Sequence, residues 1–286
     1  MEYKVYKNKI VMQNSSEFDI KHILECGQVF RYKVVESGYE VYALEHKARV
    51  YCQKDTTTIF CDDTTFFQKY FDFDTDYAKI KSELRDTEIL ENALELGSGI
   101  RILRQDPLEI IISFIISANN NIPRIKKSLE RLCERYGVKK GEYYAFPTLQ
   151  KLKKVPEAFF LEIGCGYRAP YLVKTIQMLS EKFIQSLYSM DIIEARKELI
   201  KLSGVGGKVA DCILLFGYYR TNVFPCDTWI KKVYVQHFNG DCKLPAGKIS
   251  EYFVSLYGNN AGFAQQYLYY YKRLKEKKKV KEIKNG

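Results

Sequence analysis

The amino-acid sequence predicts an α+β fold, with an antiparallel sheet domain over residues 1–100 and a helical domain over residues 101–286. Short segments rich in β-branched and aromatic residues fill residues 1–63, and Ser37-Gly38 between two of them is typical of a hairpin turn. From Asp76 onward the apolar residues recur at helical spacing. The expected strands lie in VFRYKVV, YEVYAL, ARVYCQ and TTIFCDD.

The helix with the clearest start lies in RQDPLEIIISFIIS. Asp106 is placed to cap it, Pro107 fits its first turn, and Glu109 completes a capping box. Residues 110–116 are apolar on nearly every side, which predicts that this helix is buried. Further helices are expected in NNNIPRIKKSLERLCERYG, YRAPYLVKTIQMLSEKF, DIIEARKELIKL, KVADCILLFGYY and NNAGFAQQYLYYYKRLKEKK.

Charge and cysteine usage narrow the class of protein. The net charge is +10, but eight basic and two acidic residues in 272–286 account for +6, so this tail either contacts phosphates or is a solvated helix end. The eight cysteines are scattered without a C-x-x-C pair, which is typical of reduced thiols in a cytoplasm. Since the three histidines are isolated too, we expect no iron–sulfur cluster, no catalytic metal and no other cofactor.

Two further patterns bear on location. No stretch approaches the roughly 18 consecutive apolar residues of a membrane span. The first residues, MEYKVYKNKI, lack the apolar core of a signal peptide. We therefore expect a cytoplasmic protein without membrane contact, and we expect it to be a monomer.

The segment LSGVGGKVADC predicts a hairpin between two helices. Gly204, Gly206 and Gly207 around Val205 allow positive φ and the close approach of another backbone. The N–H groups at the start of the second helix can then hold a phosphate. A compact helix corner without a ligand is the alternative. We favour binding of the DNA backbone, which is independent of base sequence because no side chain is needed.

Lys208 and Asp227 are the candidate catalytic residues. Lys208 opens the helix after the hairpin, where the helix N-terminus and burial disfavour the ammonium and suit a nucleophile. An exposed or phosphate-contacting lysine is the alternative. Asp227, in NVFPCDTWIKKV, is a good N-cap whose carboxylate suits stabilising a developing cation. That carboxylate would raise the lysine pKa while burial lowers it, and the sequence leaves open which effect is larger.

These residues resemble the helix-hairpin-helix base-excision DNA glycosylases, in which the lysine marks members that also cleave the strand. Five stretches, in the family's order and spread over most of the chain, make it similar to the 8-oxoguanine DNA glycosylases: CGQVFRY, RQDPLEIIISFIISANNNIPRI, GCGYRAPY, GVGGKVADC and GFAQQYL. The resemblance implies a TATA-binding-protein-like sheet followed by two helical subdomains. The implied partner is double-stranded DNA containing 8-oxoguanine.

The resemblance also implies the roles of individual residues. Lys208 would attack the anomeric carbon of a flipped nucleoside and leave a Schiff base, and β-elimination would then break the strand. Asp227 would stabilise the oxocarbenium-like transition state. The damaged base would be held by a Gly27 carbonyl that accepts the N7 proton, by Gln265 on the Watson–Crick edge, by Cys212 and Tyr269 on its two faces, and by Pro225.

For the opposite strand, the resemblance implies that Asn119, Arg124 and Arg168 hold the cytosine and that Tyr167 wedges into the stack. Each site residue also has an ordinary alternative: Gly27 suits a strand-edge bulge, Cys212 a core position, and the asparagine run a helix end. The chain departs from the family pattern at three positions. Ser203 replaces a usual proline, Tyr269 a phenylalanine, and Trp229 a histidine that contacts phosphate.

Two other functions stay open at the level of sequence. A lyase-type glycosylase for other oxidised bases, such as an endonuclease III-like enzyme, would use Lys208 and Asp227 equally. Such enzymes commonly carry four closely spaced C-terminal cysteines, and this chain has none after Cys242. A non-catalytic DNA-binding protein would need the hairpin but neither Lys208 nor a base pocket.

Overall fold

The structure is a computed structural model that describes residues 1–13 and 16–285, with the side chains of residues 277–285 left out. Six strands form one antiparallel sheet: β1 (Tyr3–Tyr6), β2 (Lys9–Gln13), β3 (Tyr32–Val35), β4 (Gly38–Ala43), β5 (His46–Cys52) and β6 (Thr56–Cys61). Their spatial order is β1-β2-β6-β5-β4-β3. The predicted sheet is thus confirmed, and all four segments expected to contain strands do so.

Fifteen helices are found in the described part of the chain: α1 (Ile20–Glu25), α2 (Thr64–Tyr70), α3 (Tyr77–Glu83), α4 (Glu88–Leu96), α5 (Pro107–Ser117), α6 (Ile122–Tyr136), α7 (Leu149–Leu152), α8 (Glu157–Glu162), α9 (Ala169–Met178), α10 (Glu181–Ser186), α11 (Ile192–Ile200), α12 (Gly207–Gly217), α13 (Thr228–His237), α14 (Ala246–Tyr257) and α15 (Ala261–Asn285). A two-residue-strand hairpin, β7 (Lys139–Lys140) and β8 (Tyr143–Tyr144), follows α6.

The predicted positions of some helices were wrong. Helix α1 interrupts the region expected to hold only strands, and α2 begins before Asp76. The single helix expected in YRAPYLVKTIQMLSEKF is two helices. Leu179 is extended, at φ −71° and ψ 141°, and the Ser180 hydroxyl accepts from the Phe183 N–H to cap α10. A favourable N-cap thus starts a new helix where the apolar period alone predicts continuation.

The start of α5 is as predicted, but its capping box is only half formed. The Asp106 carboxylate accepts from the Glu109 N–H at 3.0 Å, and Pro107 occupies the first turn. The Glu109 side chain turns instead to Arg31, with 3.1 Å between Nη1 and Oε2, and both residues are buried. The acidic residue therefore joins α5 to the strand region.

Two hydrophobic cores interleave near residue 100. The smaller core lies on the sheet and includes Val41, Val50 and Leu103. The larger core is helical, and it takes in Tyr77 and Leu90 from α3 and α4. Helices that precede residue 100 therefore pack into the helical core. The predicted boundary between the two domains, at residues 100 and 101, stays a prediction.

Helix α15 carries the start of the basic segment. Lys272 and Arg273 are buried, each with 8% of its surface exposed, so they are not part of a solvated end. The lysines from 277 onward lie outside the described side chains, and the two interpretations of the tail stay predictions. None of the helices in the described residues is long and apolar enough to cross a membrane.

Candidate active site

Residues that lie far apart in the sequence meet in one open cleft of about 790 Å³. Helices α5, α6, α12, α13 and α15 contribute to its walls, together with the loop that follows α1. Predicted site residues that line it are Gly27, Asn119, Arg124, Lys208, Asp227 and Tyr269. The two candidate catalytic residues therefore face the same space as candidate contacts to both bases of a pair.

The three glycines of the hairpin between α11 and α12 meet different requirements. Gly204 has φ +80°, and a Cβ there would lie 2.9 Å from the Tyr171 Cβ. A Cβ at Gly207 would lie 2.5 Å from the guanidinium of Arg196. Gly206, the N-cap of α12, is exposed, and a Cβ there would meet nothing within 4 Å. The chain itself thus imposes no steric need for glycine at 206.

The first N–H groups of α12 are available to a ligand. The N-cap, Gly206, has no side chain, so the N–H groups of the first turn donate no hydrogen bond to a capping side chain. The adjacent Val205 is buried and fixes the turn against the helical core. An anion would meet N–H donors and the positive end of the helix dipole here. The geometry is compatible with the predicted phosphate contact, which remains a prediction.

Lys208 lies in the first turn of α12, with its Nζ 5.3 Å from the centroid of the Phe114 ring. Burial alone would lower its pKa, but Cys212, Asp227 and Tyr269 raise it, and the pKa lies above its ordinary value. Burial raises the pKa of the Cys212 thiol to about 11, so that group is neutral near pH 7. The raised pKa of Lys208 is the opposite of the shift expected from burial at a helix start.

Asp227 is the N-cap of α13, as predicted. Its Oδ1 accepts from the N–H groups of Trp229 and Ile230, each at 2.9 Å. Burial raises the pKa of Asp227, and the two N–H donors and Lys208 oppose that shift. The carboxylate is thus held rigidly by the backbone and directed toward the same cleft as the amine.

The residues expected to hold the damaged base divide into two groups. Gly27 has φ +89°, and a Cβ there would lie 3.1 Å from a Tyr269 ring carbon, so only glycine fits beside this ring. Gly27 and Tyr269 line the cleft. Cys212, Pro225 and Gln265 are buried and do not line it. In the free protein the Tyr269 ring rests against Gly27.

The residues expected around the opposite base surround one loop. Arg168 is buried and donates from Nε to the Ala118 carbonyl and from Nη2 to the Asn119 carbonyl, both at 2.6 Å. Asn119 takes the left-handed conformation, with φ 48°. Tyr167 is 55% exposed, and Arg124 is exposed on α6. Arg168 therefore orders the loop. The Tyr167 hydroxyl also donates to the Ala118 carbonyl, at 3.3 Å, while the Arg124 side chain is exposed.

The sequence analysis missed Phe114, which lines the cleft, and Arg273, which lies beside two residues that line it. Phe114 contacts the Lys208 amine, but a phenylalanine in a helix that is apolar on all sides gives no functional signal. Arg273 lies next to Gly27 and Tyr269. Its spacing of four residues from Tyr269 and eight from Gln265 puts all three on one face of α15, and this periodicity was a usable signal.

No group of three or more His, Cys, Asp and Glu side chains among the described residues is arranged to hold a metal ion. Cys26 and Cys212 are buried near the cleft as free thiols. The expectation that the chain uses no metal and no cluster stays a prediction.

Family models match most of the chain. The model of the 8-oxoguanine DNA glycosylase N-terminal domain matches residues 10–111, and that of the HhH-GPD superfamily of base excision DNA repair proteins matches residues 112–257. The helical region that carries the glycine hairpin, Lys208 and Asp227 thus lies within the match to a superfamily of base excision DNA repair proteins. The chain belongs to the HhH-GPD superfamily, in the family that carries the 8-oxoguanine DNA glycosylase N-terminal domain.

Individual relatives agree with this assignment. A probable N-glycosylase/DNA lyase of Methanothermobacter thermautotrophicus is 33% identical over 71% of this chain and 72% of its own length. N-glycosylase/DNA lyase OGG1 of Arabidopsis thaliana is 38% identical over 60% of this chain, which spans about half (51%) of the plant protein. The chain also superposes, with a TM-score of 0.89, on a crystal structure of Clostridium acetobutylicum 8-oxoguanine glycosylase/lyase in complex with double-stranded DNA containing cytosine opposite 8-oxoG. The two sequences are 37% identical, and the match covers 96% of this chain and 99% of the Clostridium chain.

Proposed function

We propose that this chain is a bifunctional DNA glycosylase that flips 8-oxoguanine out of duplex DNA, excises it and then cleaves the strand. One observation carries the proposal. Lys208 follows an exposed glycine hairpin at a helix start and lines the same cleft as Asp227. The hairpin can hold the backbone while the amine reaches the sugar of a flipped nucleotide. The related glycosylase/lyases support this choice over a purely DNA-binding role.

The chemistry follows from the positions of the two residues. Neutral Nζ of Lys208 attacks C1′, the bond from C1′ to the base breaks, and the base leaves with the bonding electrons and takes up a proton. The Asp227 carboxylate stabilises the positive charge that develops on the sugar ring. The C1′–O4′ bond then breaks, O4′ takes up the proton that the amine loses, and the opened sugar is a Schiff base. That Schiff base accepts electrons when a C2′ proton is removed, and the C3′–O bond breaks with the phosphate as the leaving group. A water finally releases the lysine.

Lys208 must lose its proton before it attacks, because its pKa is raised in the free protein. Near pH 7 the Cys212 thiol and the Tyr269 hydroxyl are neutral, so Asp227 is the neighbour whose charge favours the ammonium. Cys212 and Tyr269 are the predicted stacking partners of the base. A base that enters between them excludes water from the amine. Binding of the substrate therefore lowers the lysine pKa in this mechanism.

The decisive test is covalent trapping of the protein on an 8-oxoguanine duplex with borohydride, which reduces a Schiff base to a stable bond. Lys208→Gln should abolish trapping and leave duplex binding within about threefold, because only the nucleophile is lost. Lys231→Gln is the matched control, since Lys231 also lines the cleft, and this variant should still trap. Trapping by Lys208→Gln would mean that another amine is the nucleophile.

The remaining functional expectations are part of the same proposal. Cytosine is the expected opposite base, with Tyr167 as the wedge and Arg124 as the outward-reaching contact. The protein is expected to act as a cytoplasmic monomer without a cofactor. Excision that continues undiminished in excess EDTA, by a protein without visible absorption near 400 nm, is the result expected of a lysine nucleophile.

A further inference from the structure

Arg273 is a buried cation, and two of its nitrogen donors have no partner among the described residues, although its guanidinium interacts with the Tyr269 hydroxyl. Only 8% of its surface is exposed, and its Nε and Nη1 have no hydrogen-bond partner among the described residues. It forms no ion pair with a described side chain either, although burying a charge without a partner is strongly unfavourable. Buried polar groups are nearly always satisfied, so these donors call for an explanation.

The preceding residue shows what a satisfied cation looks like in the same turn. Lys272 is buried to the same extent. Its Nζ donates to Gln236 Oε1 at 2.8 Å and lies 2.9 Å from Glu276 Oε1. Burial on α15 alone therefore does not leave a basic side chain without partners. The state of Arg273 is specific to its position.

Arg273 lies beside Gly27, which lines the cleft. A Cβ built on Gly27 would lie 3.3 Å from Arg273 Nη1 and 3.4 Å from the Tyr269 hydroxyl. The Arg273 guanidinium carbon lies 5.8 Å from the centroid of the Tyr269 ring. Gly27 and Tyr269 both line the cleft. The unused donors are thus within one side-chain movement of the space that a base would occupy.

A second unsatisfied group lies on the same helix face. Gln265, Tyr269 and Arg273 are spaced four residues apart, so they form one row along α15. The Oε1 atom of Gln265 is buried and has no partner among the described residues. The Tyr269 ring, which is expected to stack on a base, thus lies between Gln265 and Arg273 in this row. Gln265 has an acceptor without a partner, and Arg273 has two donors without partners. Such a row matches a purine, which carries both donors and acceptors.

We propose that Arg273 is a further specificity-determining residue, which donates hydrogen bonds to a carbonyl oxygen of the flipped base. This inference rests on the proposed function. In 8-oxoguanine the N7–H expected to meet the Gly27 carbonyl has a carbonyl oxygen on either side, O6 and O8. A donor next to Gly27 therefore faces one of these oxygens. Its fixed positive charge also favours the electron-rich base as the bond to the sugar breaks.

The experiment compares two substrates that differ only in the base. Single-turnover cleavage is measured on a duplex with 8-oxoguanine opposite cytosine, and on the same duplex with an abasic site. Arg273→Met should slow the 8-oxoguanine reaction about 10- to 100-fold, the usual effect of losing a hydrogen bond to a charged group. It should change abasic-site cleavage less than about threefold, because no base is present to be contacted.

Two further variants separate recognition from folding. Lys272→Met removes an equally buried cation from the same turn, and it should leave the ratio of the two rates unchanged. Arg273→Lys keeps the charge without the planar fork, and it should show a smaller selective loss than Arg273→Met. If Arg273→Met does not fold, Arg273→Lys carries the comparison, with its melting temperature measured alongside.

The outcomes are distinct. Equal losses on both substrates, or unchanged 8-oxoguanine excision by Arg273→Met, would overturn the role assigned to Arg273. Failure of the proposed function has a different signature, since it is observed in the wild-type protein: cleavage of the abasic duplex without excision of 8-oxoguanine. A selective loss confined to the base-containing duplex supports the assignment.

Discussion

At the scale of single residues, the site depends on opposing effects around two charged groups. Burial disfavours the Lys208 ammonium, but the neighbouring Cys212, Asp227 and Tyr269 outweigh it and raise the lysine pKa. Burial likewise raises the pKa of Asp227, although two backbone N–H groups donate to its carboxylate. Both shifts are those of the free protein, and the proposed mechanism assigns deprotonation of Lys208 to substrate binding.

The two roles of Asp227, as helix cap and as charge, are separable. Asn is as good an N-cap as Asp, so Asp227→Asn should change the free energy of unfolding by less than about 1 kcal/mol. Loss of the carboxylate should slow single-turnover excision by about 100-fold or more. Asp227→Ala should show the same kinetic loss and also lose about 1 kcal/mol of stability. Wild-type excision by Asp227→Asn would exclude an electrostatic role.

At the scale of elements, the hairpin between α11 and α12 contains one glycine that the fold requires and another that it does not. Gly204 is required by its positive φ and by the close Tyr171, whereas a Cβ at Gly206 meets only open space. Because the protein gives no steric reason for glycine at 206, the reason lies in what approaches from outside. A DNA phosphate that contacts the helix start directly is the approach we propose.

Gly206→Ala tests this explanation. The variant should fold with wild-type stability to within about 1 kcal/mol, since the added methyl group has no clash and φ is −92°. Its affinity for duplex DNA should fall about tenfold, equally for damaged and undamaged duplexes, because the contact is to backbone. Gly247→Ala is the control, as a Cβ there also meets nothing within 4 Å, and it should bind normally. Binding measured by fluorescence anisotropy at fixed salt decides the question.

At the scale of the whole molecule, buried polar contacts hold the sheet against the helical core that contains the cleft. Arg31 pairs with Glu109 of α5 and also donates to the Tyr144 carbonyl. Both partners of the ion pair are buried. Since α5 also supplies Phe114 to the cleft, this pair fixes the catalytic helices relative to the loop that bears Gly27.

Breaking this ion pair should therefore be costly. Glu109→Ala leaves the Arg31 guanidinium buried without its carboxylate, and the free energy of unfolding in urea should fall by about 3–5 kcal/mol. Replacing both residues, as Arg31→Met with Glu109→Leu, should recover most of that loss, because no unpaired charge remains. A loss below about 1 kcal/mol in the single variant would show that the pair does not stabilise the fold.

The sequence by itself determined what depends on neighbours along the chain. The sheet segments follow from residue type, the caps at Asp106 and Asp227 from a few adjacent positions, and the hairpin from its glycines. The family resemblance, which rests on motifs in order, was confirmed by the family models. Sequence patterns could also place Lys208 at a helix start, because that requires only the local turn.

Only the tertiary structure decided what depends on residues brought together from distant positions. The pKa of Lys208 depends on Asp227, the N-cap of α13, and on Tyr269 of α15. Glu109 forms an ion pair with Arg31 instead of completing its own capping box, because the fold brings the buried guanidinium within 3.1 Å of its carboxylate. The proposed role of Arg273 depends on its position beside Gly27, which only the structure shows. The reason is that the free-energy cost of burying a donor depends on whether an acceptor lies near it in space.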